Sequence, residues 1–512
     1  MKGNINSIGD SLTLTAGKYQ NKIALVNFGG SRFTYSKFNE RVNRLANALI
    51  ELGVGKGDNV AYLFYNGNKF LEAHYAVAKL GAVGVPLNTR LVGRELLYQI
   101  ENADTVCLIY SNEFYDIIDS IRENLTKVRY FISDDGKGDG IFSYDELISG
   151  SDSKEPEAEV SLYDENVILY TAGTTGVPKG AVLTHRNSLF NGFTMIMDYH
   201  FAPDDVLQVI PPLYHSASLN AFAVPAVIMG GTMVIHKGVI AKEIFQAIED
   251  EKVTVSWGPA TMWRMLISDP AIREYDLSSV RLIANGAMYM SSSMRKELLS
   301  YFPNAMIGDT YGMTESSPCT TILPPKDALR KSSSVGIPLT VCDVKIFNEK
   351  GEEVPIGEIG EIVNRGNVMK GYYKNPKATA EVIKDGWFYT GDLGMKDDEG
   401  FIYLVDRKKD MIVTGGENVY SKEVEEVITT HHKVFEVAVI GLPDEKWGEV
   451  VTAIITPKPG ETITEEEIIE YCKKNLAGYK CPKIVKFVDN IPKNPAGKIV
   501  KSKLKKLYEK QR

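Results

Sequence analysis

A short segment between residues 170 and 180 combines the residue types that bind phosphate. Its glycines let the backbone fold tightly with the N–H groups turned inward, its hydroxyls can donate to oxyanions, and its lysine adds a positive charge. Apolar, β-prone runs stand on both sides, so we expect a loop between two strands. The candidate phosphate-binding residues are Thr171, Ala172, Gly173, Thr174, Thr175, Gly176 and Lys179.

This segment is not a Walker A loop. Gly173 and Gly176 are spaced more closely than the glycines of that pattern, and Lys179 is followed by Gly180 instead of serine or threonine. The alternative is a hairpin turn that binds no ligand. The density of hydroxyls beside the lysine favours phosphate binding.

Five further motifs carry charged, hydroxyl or glycine residues in order along the chain. They are residues 311–315 (YGMTE), 389–392 (YTGD), 406–410 (DRKKD), 415–418 (GGEN) and 495–498 (PAGK). Taken singly, each also has an ordinary structural interpretation: a helix start capped by Thr314, turns at Gly391 and Gly415, and a surface charge at Arg407.

Together with the phosphate segment, these motifs make the sequence resemble the adenylate-forming superfamily, which contains acyl-CoA synthetases, luciferases and the adenylation domains of peptide synthetases. The motifs follow the family order over essentially the whole chain. The resemblance implies an acyl-CoA synthetase. A carboxylate and MgATP give acyl-AMP and pyrophosphate, and the thiolate of CoA then gives a thioester and AMP. ATP, Mg²⁺ and CoA are the implied cofactors and co-substrates.

The implied reaction sets demands that the residue types can meet. A carboxylate is a poor nucleophile and ATP carries several negative charges, so the site must neutralise both reactants and hold them in line. By resemblance, Thr314 contacts phosphate and Glu315 holds Mg²⁺, which prefers hard oxygen ligands. Asp392 accepts hydrogen bonds from the ribose hydroxyls, and Arg407 lies near the ribose and the α-phosphate.

The resemblance also assigns a pocket for the nucleotide base. Asp309 would accept a hydrogen bond from the adenine amino group, and the ring of Tyr311 would pack beside adenine. A β-prone run at 305–307 agrees with a ligand site at the carboxyl edge of a sheet. The assigned residues are Asn285, Gly286, Ala287, Asp309, Thr310, Tyr311 and Gly312.

Lys498 lies in a lysine-rich tail, for which a solvated basic helix face is the ordinary interpretation. It differs from its neighbours because it follows a turn-forming run at 494–497 and matches the family's adenylation lysine. Its ammonium group would stabilise charge that develops between the carboxylate and the bridging phosphate oxygen. Lys498 is therefore the predicted catalytic lysine, and Thr314, Glu315 and His215 are the other catalytic candidates.

The resemblance implies a movement of the C-terminal domain between the two half-reactions. Lys409 matches the residue about which family members rotate, although other members carry aspartate there. The predicted hinge is 407–410, between an N-terminal domain at 1–406 and a mobile domain at 411–512. After rotation, Gly415, Gly416 and Glu417 would line the channel for the pantetheine arm of CoA.

By resemblance, the acid-binding pocket lies among residues 214–216, 256–264 and 285–289. His215 matches an aromatic residue or histidine beside the reacting carboxylate, and a core histidine is the alternative. No aspartate lies in 213–220, which disfavours an amino acid substrate. Apolar side chains such as Trp257 and Met262 suit a fatty acid, or alternatively an aryl acid. A ligase that loads a carrier protein and a non-catalytic nucleotide-binding protein are less favoured.

The elements that must position these residues alternate between helix and strand. Apolar residues recur every three to four positions in 38–52 and in 70–79, and buried-strand patterns occupy 59–64 and 81–86, which is βαβ order. The order resumes after residue 166, with strands at 206–210, 232–235 and 253–256 and a helix at 241–251. The hydrophilic stretch 134–159 is interpreted as a surface loop.

The remaining patterns predict a β-rich piece and a compact C-terminal unit. Short alternating runs separated by glycines fill 343–403, whereas helices at 421–429 and 464–474 flank a strand at 436–440. The predicted fold class is α/β. It has a large N-terminal domain with two parallel-sheet α/β subdomains plus a β-rich subdomain, and a small α+β C-terminal domain.

Composition excludes several other classes of protein. The chain has 512 residues, is 44% hydrophobic, and carries a net charge of −8, so it lacks the positive field that binds nucleic acid. Its five cysteines form no C-x-x-C pair, which disfavours disulfide and zinc frameworks. The apolar run 221–235 is too short and too interrupted to span a bilayer, and no secretory signal precedes it. A cytoplasmic monomer or homodimer without a transmembrane segment is predicted.

Overall fold

The computed structural model describes residues 5–171, 177–493 and 499–509. Its helices are α1 (Ile8–Lys18), α2 (Tyr35–Glu51), α3 (Asn68–Leu80), α4 (Gly93–Asn102), α5 (Tyr115–Asp119), α6 (Tyr144–Gly150), α7 (His185–Asp198), α8 (Val224–Met229), α9 (Ala241–Glu251), α10 (Ala260–Ser268), α11 (Ser292–Tyr301), α12 (Pro376–Val382), α13 (Ser421–Thr429), α14 (Glu465–Asn475) and α15 (Lys501–Glu509).

The strands are β1 (Ile23–Asn27), β2 (Arg32–Thr34), β3 (Asn59–Leu63), β4 (Val83–Pro86), β5 (Thr105–Tyr110), β6 (Tyr130–Ser133), β7 (Ile141–Ser143), β8 (Glu165–Thr171), β9 (Lys179–Thr184), β10 (Val206–Val209), β11 (Thr232–Ile235), β12 (Val255–Gly258), β13 (Leu282–Gly286), β14 (Met306–Tyr311), β15 (Thr321–Leu323), β16 (Ile337–Pro338), β17 (Asp343–Phe347), β18 (Gly360–Arg365), β19 (Gly371–Tyr372), β20 (Ile383–Lys384), β21 (Trp387–Lys396), β22 (Ile402–Arg407), β23 (Ile412–Thr414), β24 (Glu417–Val419), β25 (Val434–Asp444), β26 (Gly448–Pro457) and β27 (Ile484–Phe487).

The chain divides into two compact units. Unit 1 contains Met1–Val344 and Asn364–Phe388, and unit 2 contains Lys345–Val363 and Tyr389–Arg512. Unit 2 thus includes the predicted C-terminal domain and part of the β-rich piece before it. The domain limits at 406 and 411 stay predictions.

Unit 1 contains two large, mainly parallel sheets, as the sequence predicts. In the first, β1, β11, β10, β12, β13 and β14 are parallel neighbours, and β2, β15 and β16 add antiparallel edges. In the second, β8, β4, β3, β5, β6 and β7 run parallel, β9 pairs antiparallel with β8, and β19 pairs antiparallel with β9. The carboxyl ends of parallel strands meet at one edge of a sheet, where ligands bind in such folds.

The predicted βαβ unit is confirmed. Helix α2 is capped by Thr34, whose side chain accepts a hydrogen bond from the Lys37 N–H. Val42, Leu45, Ala46 and Leu49 of its apolar stripe are fully buried, whereas Ile50 is exposed. All five residues of β3 are buried. Helix α3 ends at Gly81, whose φ of +68° lies in the left-handed region that favours glycine. Because β3 and β4 pair in parallel, α3 is the crossover between them.

The surface-loop interpretation of 134–159 is wrong for its middle part. Strand β7 pairs in parallel with β6, and helix α6 begins after Ser143, which caps it. Tyr144 and Ile148 are the buried residues of this short helix. Two buried positions in a polar stretch give almost no periodic signal, so composition concealed these elements.

The apolar run 221–235 is confirmed as a buried helix that leads into a strand. The chain passes from a π-helix at Ala217–Ala223 directly into α8, whose first turn contains Pro225. Gly230, with a φ of +83°, ends the helix, and β11 follows. In the described residues, none of the helices has the length and apolarity needed to cross a bilayer.

Unit 2 contains the predicted α+β fold. Its main sheet has the order β24–β23–β26–β25, with β27 parallel to β26, and α13 and α14 pack against the apolar residues of these strands. A second sheet has the order β17–β18–β21–β20, with β22 paired to β21, and the unit boundaries fall within its strands. It contains the antiparallel pairs expected for the β-rich piece.

Candidate active site

The predicted phosphate segment lies between two paired strands. Strands β8 and β9 are antiparallel, and Thr171 and Lys179 are the last pair of the ladder before the segment. The strand–loop–strand prediction is therefore confirmed at both flanks. Ala172, Gly173, Thr174, Thr175 and Gly176 lie outside the described residues, so their assignment stays a prediction.

Glu315 lies in a buried cluster with one end of that ladder. It occupies a short 3₁₀ turn, Thr314–Ser316, that follows β14, and it is 9% exposed. Its Oε1 accepts hydrogen bonds from the Tyr372 hydroxyl at 2.8 Å and from Thr171 Oγ1 at 3.5 Å. Lys179 Nζ lies 5.0 Å from the centre of the Tyr372 ring. The structure thus gathers Thr171, Lys179 and Glu315, as predicted.

Tyr372 is a member of this cluster that sequence reasoning missed. It lies on β19, which pairs with β9, and burial next to the Glu315 carboxylate raises the pKa of its hydroxyl. The backbone N–H of Met369 also donates to the Glu315 carbonyl at 2.8 Å. The tyrosine pair at 372–373 after a glycine was the available signal. The alternative interpretation of Thr314 as a helix cap is wrong. The cap position of the Thr314–Ser316 turn is occupied by Met313, which makes no side-chain cap bond.

The donor set around Glu315 fits a magnesium ion. It consists of a carboxylate and hydroxyl oxygens, the hard ligands that Mg²⁺ takes. In the described part of the chain, no lysine or arginine forms an ion pair with Glu315. Among the described residues, the side-chain donors to this buried carboxylate are neutral hydroxyls, so it is suited to a cation that arrives with the substrate.

The predicted base-binding residues are brought together at the carboxyl ends of β13 and β14. These strands are parallel, and Asn285 pairs with Asp309 and Gly286 with Thr310. The Asn285 side-chain amide donates to Asp309 Oδ1 and, at 3.0 Å, to the Met288 carbonyl. A Cβ on Gly286 would lie 3.1 Å from Thr310 Oγ1, so glycine relieves a tight contact between the two strands.

Tyr311 and Gly312 continue the same edge. Tyr311 ends β14 and is half-buried, and a Cβ on Gly312 would collide with the Pro318 carbonyl. Asp309 is almost fully buried, and that burial raises the pKa of its carboxyl although Arg295 and Asn285 oppose the shift. Arg295 donates to Asp309 Oδ2 and was not predicted.

Aromatic rings surround the region predicted to receive the acid. The rings of Tyr214 and His215 lie 4.6 Å apart, and the π-helix that carries Phe222 begins two residues after His215. The Phe222 and Trp257 rings are 5.0 Å apart with an interplanar angle of 31°. The Trp257 indole nitrogen lies 3.6 Å from where a Cβ on Gly286 would stand, so this pair adjoins the base segment.

Other members of the predicted pocket segments face elsewhere. Trp263 is fully buried and donates to the Gly258 carbonyl at 2.9 Å, which makes it a core residue. Met262 is also buried, whereas Met288 and Tyr289 are exposed on the loop after β13. Of these four side chains, Met288 and Tyr289 are the exposed ones.

Unit 2 contains the predicted ribose residues. Asp392 on β21 and Arg407 on β22 are directly paired, and Arg407 Nε lies 3.0 Å from Asp392 Oδ1. Asp392 is 3% exposed, whereas the Arg407 side chain is about half exposed. Lys409 follows in the turn after β22, and burial lowers the pKa of its ammonium group. The two charges at 392 and 407 form one cluster, as predicted.

The predicted CoA residues form a tight turn beside a tryptophan. Gly415 and Gly416 have φ angles of +59° and +85°, and a Cβ on Gly415 would lie 2.9 Å from Trp447 Cε3. Lys483 Nζ lies 3.6 Å and Lys446 Nζ 4.9 Å from the centre of the Trp447 ring. Glu417, in β24, is exposed. An aromatic face with two ammonium groups suits an anionic ligand with an apolar part.

Sequence reasoning missed Trp447 and Lys483. Both residues are remote in sequence from the glycine motif. The pairing of β23 with β26 brings Trp447 next to Gly415, whose N–H donates to the Trp447 carbonyl at 2.8 Å. A tryptophan directly before Gly448 was a weak signal for a turn, and nothing in the local sequence pointed to its partner lysine.

Lys498 lies outside the described residues, and its flanks are held within unit 2. Lys493 and Ile499 form an antiparallel bridge, and Lys493 Nζ pairs with Glu436 at 2.8 Å. On the other side, Lys501 Nζ pairs with Glu425 at 2.7 Å and donates to Ser421 Oγ at 2.6 Å. The described residues on both sides of Lys498 are therefore anchored within unit 2.

These clusters together define a class of enzyme. A hydroxyl-rich segment with a lysine, a buried carboxylate suited to Mg²⁺, a polar edge of a parallel sheet and an aspartate–arginine pair are residue types that an ATP-dependent carboxylate-activating ligase can use. Two family models match the chain: the AMP-binding enzyme over residues 12–373, and the AMP-binding enzyme C-terminal domain over residues 423–498. The chain belongs to this adenylate-forming family, as the motifs imply, and is an AMP-forming acid–CoA ligase.

Individual relatives agree with that assignment. A feruloyl-CoA synthase of an Amycolatopsis species is 37% identical over 94% of this chain and 95% of its own length. The long-chain-fatty-acid–CoA ligase FadD13 of Mycobacterium tuberculosis is 37% identical over 93% of each chain. The crystal structure of ATP-bound MatB from Rhodopseudomonas palustris matches with a TM-score of 0.90 and 32% identity over 99% of both chains.

Proposed function

We propose that the chain joins an apolar carboxylic acid to CoA in two steps. An aryl acid is the first candidate for this substrate. A carboxylate oxygen attacks the α-phosphorus of ATP, and the bond from that phosphorus to the bridging oxygen breaks, which releases pyrophosphate. The sulfur of CoA then attacks the acyl carbon, AMP leaves, and the thiol proton passes to solvent. The observation that carries the proposal is the Glu315 cluster with Thr171, Lys179 and Tyr372.

In the adenylation step, the residues of unit 1 would hold the nucleotide. The hydroxyl of Thr171 and the ammonium of Lys179 balance phosphate charge, and Glu315 is the ligand for Mg²⁺. When bound, Mg²⁺ would neutralise charge on the leaving pyrophosphate. Asp309 accepts from the base, and Asp392 of unit 2 accepts from the ribose hydroxyls.

Lys498 is proposed to stabilise the charge that develops as the carboxylate attacks. The described residues on either side of it are anchored by the Lys493–Ile499 bridge and by the Lys501–Glu425 ion pair. A positive charge directed at the developing negative charge is what electrostatic stabilisation requires. Rotation about Lys409 would then move Lys498 away from the reacting atoms and bring the Gly415 turn towards them.

In the second step, the Gly415 turn is proposed to guide the pantetheine arm of CoA. Trp447 offers an apolar face beside the turn, and Lys483 and Lys446 offer positive charge for the phosphates. A missing Cβ at Gly415 lets the arm approach while Trp447 keeps its place.

The acid is the part of the proposal with two candidates. The Phe222 and Trp257 rings are buried, pack at an interplanar angle of 31° and lie next to the base segment. These flat aromatic faces favour an aryl acid, and the feruloyl-CoA synthase relative supports it. A fatty acid, which the sequence predicts first, is the second candidate. The FadD13 relative and the exposed, flexible Met288 support it.

The proposal is tested with a panel of acids. Exchange of labelled pyrophosphate into ATP, and acyl-CoA formation, are measured with cinnamates, benzoates, arylacetates and straight-chain acids, and kcat/KM values rank them. An aryl acid is expected to rank first, and replacement of Trp257 with alanine should lower kcat/KM for aryl acids about tenfold or more relative to straight-chain acids. Absence of exchange with every acid would contradict the enzyme proposal. Transfer only to a carrier protein would contradict CoA as acceptor.

Lys498→Ala separates the proposed steps. We expect it to lower pyrophosphate exchange by about a hundredfold or more, because one charge directed at the transition state is lost, and to spare thioester formation from supplied acyl-AMP. The matched control is Lys503→Ala, which removes an exposed lysine of α15. Equal loss in both half-reactions would contradict the assigned role.

A further inference from the structure

Arg295 is an arginine in the interior of unit 1. It lies on α11, is 1% exposed, and donates from Nη2 to Asp309 Oδ2. Among the described residues, its Nε and Nη1 have no hydrogen-bond partner. A buried charge with unsatisfied donors is unfavourable for folding, because those groups lose their hydration without full replacement. Such a cost is typical of positions that are kept for function.

The partner of Arg295 is the residue assigned to the nucleotide base. Asp309 Oδ2 accepts a hydrogen bond from Arg295, and its Oδ1 accepts one from the Asn285 amide. Each carboxylate oxygen is therefore held by one donor. Each oxygen can still accept a further hydrogen bond, because an ionised carboxylate has about four acceptor positions. The two donors therefore fix the direction of the carboxylate without blocking it.

The same contacts extend into the loop that follows β13. Asn285 also donates to the Met288 carbonyl at 3.0 Å, and Ala287, one of the two residues between them, has a φ of +64°. A residue with a Cβ is strained in this left-handed region, so surrounding bonds must maintain it. Arg295, Asp309, Asn285 and the Met288 carbonyl form a continuous series of contacts that ends at the strained turn.

We propose that Arg295 is a positioning residue for recognition of the nucleotide base: it aims the Asp309 carboxylate at the 6-amino group of adenine. The proposal rests on the proposed function, through the assignment of Asp309 to the base. A carboxylate accepts from an amino group but is repelled by the 6-oxo group of hypoxanthine or guanine. Arg295 would thus set the preference for ATP over ITP and GTP without touching the nucleotide.

The test compares Arg295 with a matched ion pair of the same sheet. Arg281 directly precedes β13 at its amino end and donates to Asp205 through Nε, at 2.8 Å, and Nη2. We would make Arg295→Met, Arg295→Lys and, as control, Arg281→Met in the full chain. Calorimetric titration with ATP and with ITP gives binding, pyrophosphate exchange gives kcat and KM, and circular dichroism gives Tm.

Arg295→Met is expected to weaken ATP binding about tenfold or more and to lower the ATP-to-ITP preference by a similar factor, with kcat at saturating ATP changed by less than about threefold. Arg295→Lys, which keeps the charge but loses the planar fork, should fall between wild type and Arg295→Met. Arg281→Met should lower Tm and leave the preference unchanged.

Two outcomes overturn the assignment of Arg295. One is a folded Arg295→Met protein that keeps its ATP preference within about twofold of wild type, and the other is an equal loss of preference in Arg281→Met. If Arg295→Met does not fold, Arg295→Lys carries the test, and an unchanged preference in it overturns the proposal. A wild-type protein without preference for ATP over ITP overturns the base assignment of Asp309 itself, which separates that failure from one confined to Arg295.

Discussion

At the scale of single residues, the proposed chemistry depends on two carboxylates whose burial is unfavourable for folding. Glu315 and Asp309 are both nearly inaccessible, and each is held by neutral or charged donors that direct it. Exposed carboxylates would be solvated and free to rotate, and would bind a cation or an amino group with less discrimination. The donors to these carboxylates should therefore be as important as the carboxylates.

Tyr372→Phe tests this for Glu315. The change removes one hydroxyl donor at 2.8 Å and keeps the ring beside Lys179. Hydrogen bonds to a charged group contribute about 1.5–3 kcal/mol, so we expect pyrophosphate exchange to fall about tenfold or more and to require more Mg²⁺ for half-maximal rate. The exchange rate is measured against total Mg²⁺ at fixed ATP.

The adjacent tyrosine is the control. Tyr373 donates to Asp104 at 2.9 Å and accepts from the Asn59 side-chain amide, so Tyr373→Phe removes a half-buried hydroxyl elsewhere in unit 1. It should lower Tm slightly and leave the Mg²⁺ dependence unchanged. A Tyr372→Phe protein with the same Mg²⁺ dependence as wild type would show that the tyrosine only fills space.

At the scale of elements, strands and helices with strong patterns were predictable. Helix α9 and strand β11 begin and end at the predicted residues, and the βαβ unit appears with limits shifted by a few positions. Short elements such as α6, where two buried residues carry the signal, were not predictable. The period of apolar residues in a sequence reflects which side chains are buried. An element with few buried side chains therefore has a weak sequence pattern.

The residues of the candidate site also differ in how far the sequence predicts them. Motif residues such as Glu315 and Asp392 were found because the family resemblance marks them, whereas their partners were not. Tyr372, Arg295 and Trp447 reach the site through strand pairing or helix packing from distant parts of the sequence. Sequence spacing contains no record of such contacts, because they depend on tertiary structure.

The turn between β23 and β24 carries a prediction at this scale. Gly415→Ala introduces a Cβ 2.9 Å from the Trp447 ring at a φ of +59°, so the ring must move. We expect the KM for CoA to rise about tenfold or more while pyrophosphate exchange stays near wild type, because only the proposed CoA surface changes. Both rates are measured with one acid.

Backbone strain alone is controlled with another glycine of unit 2. Gly400 has a φ of +86° and no atom within 4 Å of an added Cβ, so Gly400→Ala introduces strain without a collision. It should cost about 1–2 kcal/mol of stability and leave the KM for CoA unchanged. If Gly400→Ala raised that KM as much as Gly415→Ala, the contact with Trp447 would have no specific role.

At the scale of the whole molecule, unit 1 has an interior that resists protonation. His74 and His185 are fully buried, and burial lowers the pKa of each to about 3 from an ordinary value near 6.5. Their Nε2 atoms have no hydrogen-bond partner in the described residues. Because the unfolded chain takes up these protons at mildly acidic pH and the folded chain does not, unfolding must bind protons.

The stability of unit 1 should therefore fall as the pH drops below about 6.5, and go on falling until the folded pKa near 3 is reached. Between pH 7 and pH 5, each of the two histidines should cost about 2 kcal/mol of unfolding free energy. Urea unfolding followed by tryptophan fluorescence at the two pH values measures the loss. His74→Gln should remove about a third of it, because glutamine does not titrate and the buried His236, whose pKa is lowered to about 4, also contributes. The same change at the exposed His432 is the surface control. Equal stability at pH 7 and pH 5 would mean that the buried imidazoles gain protons in the folded state, and that the interior around them admits water.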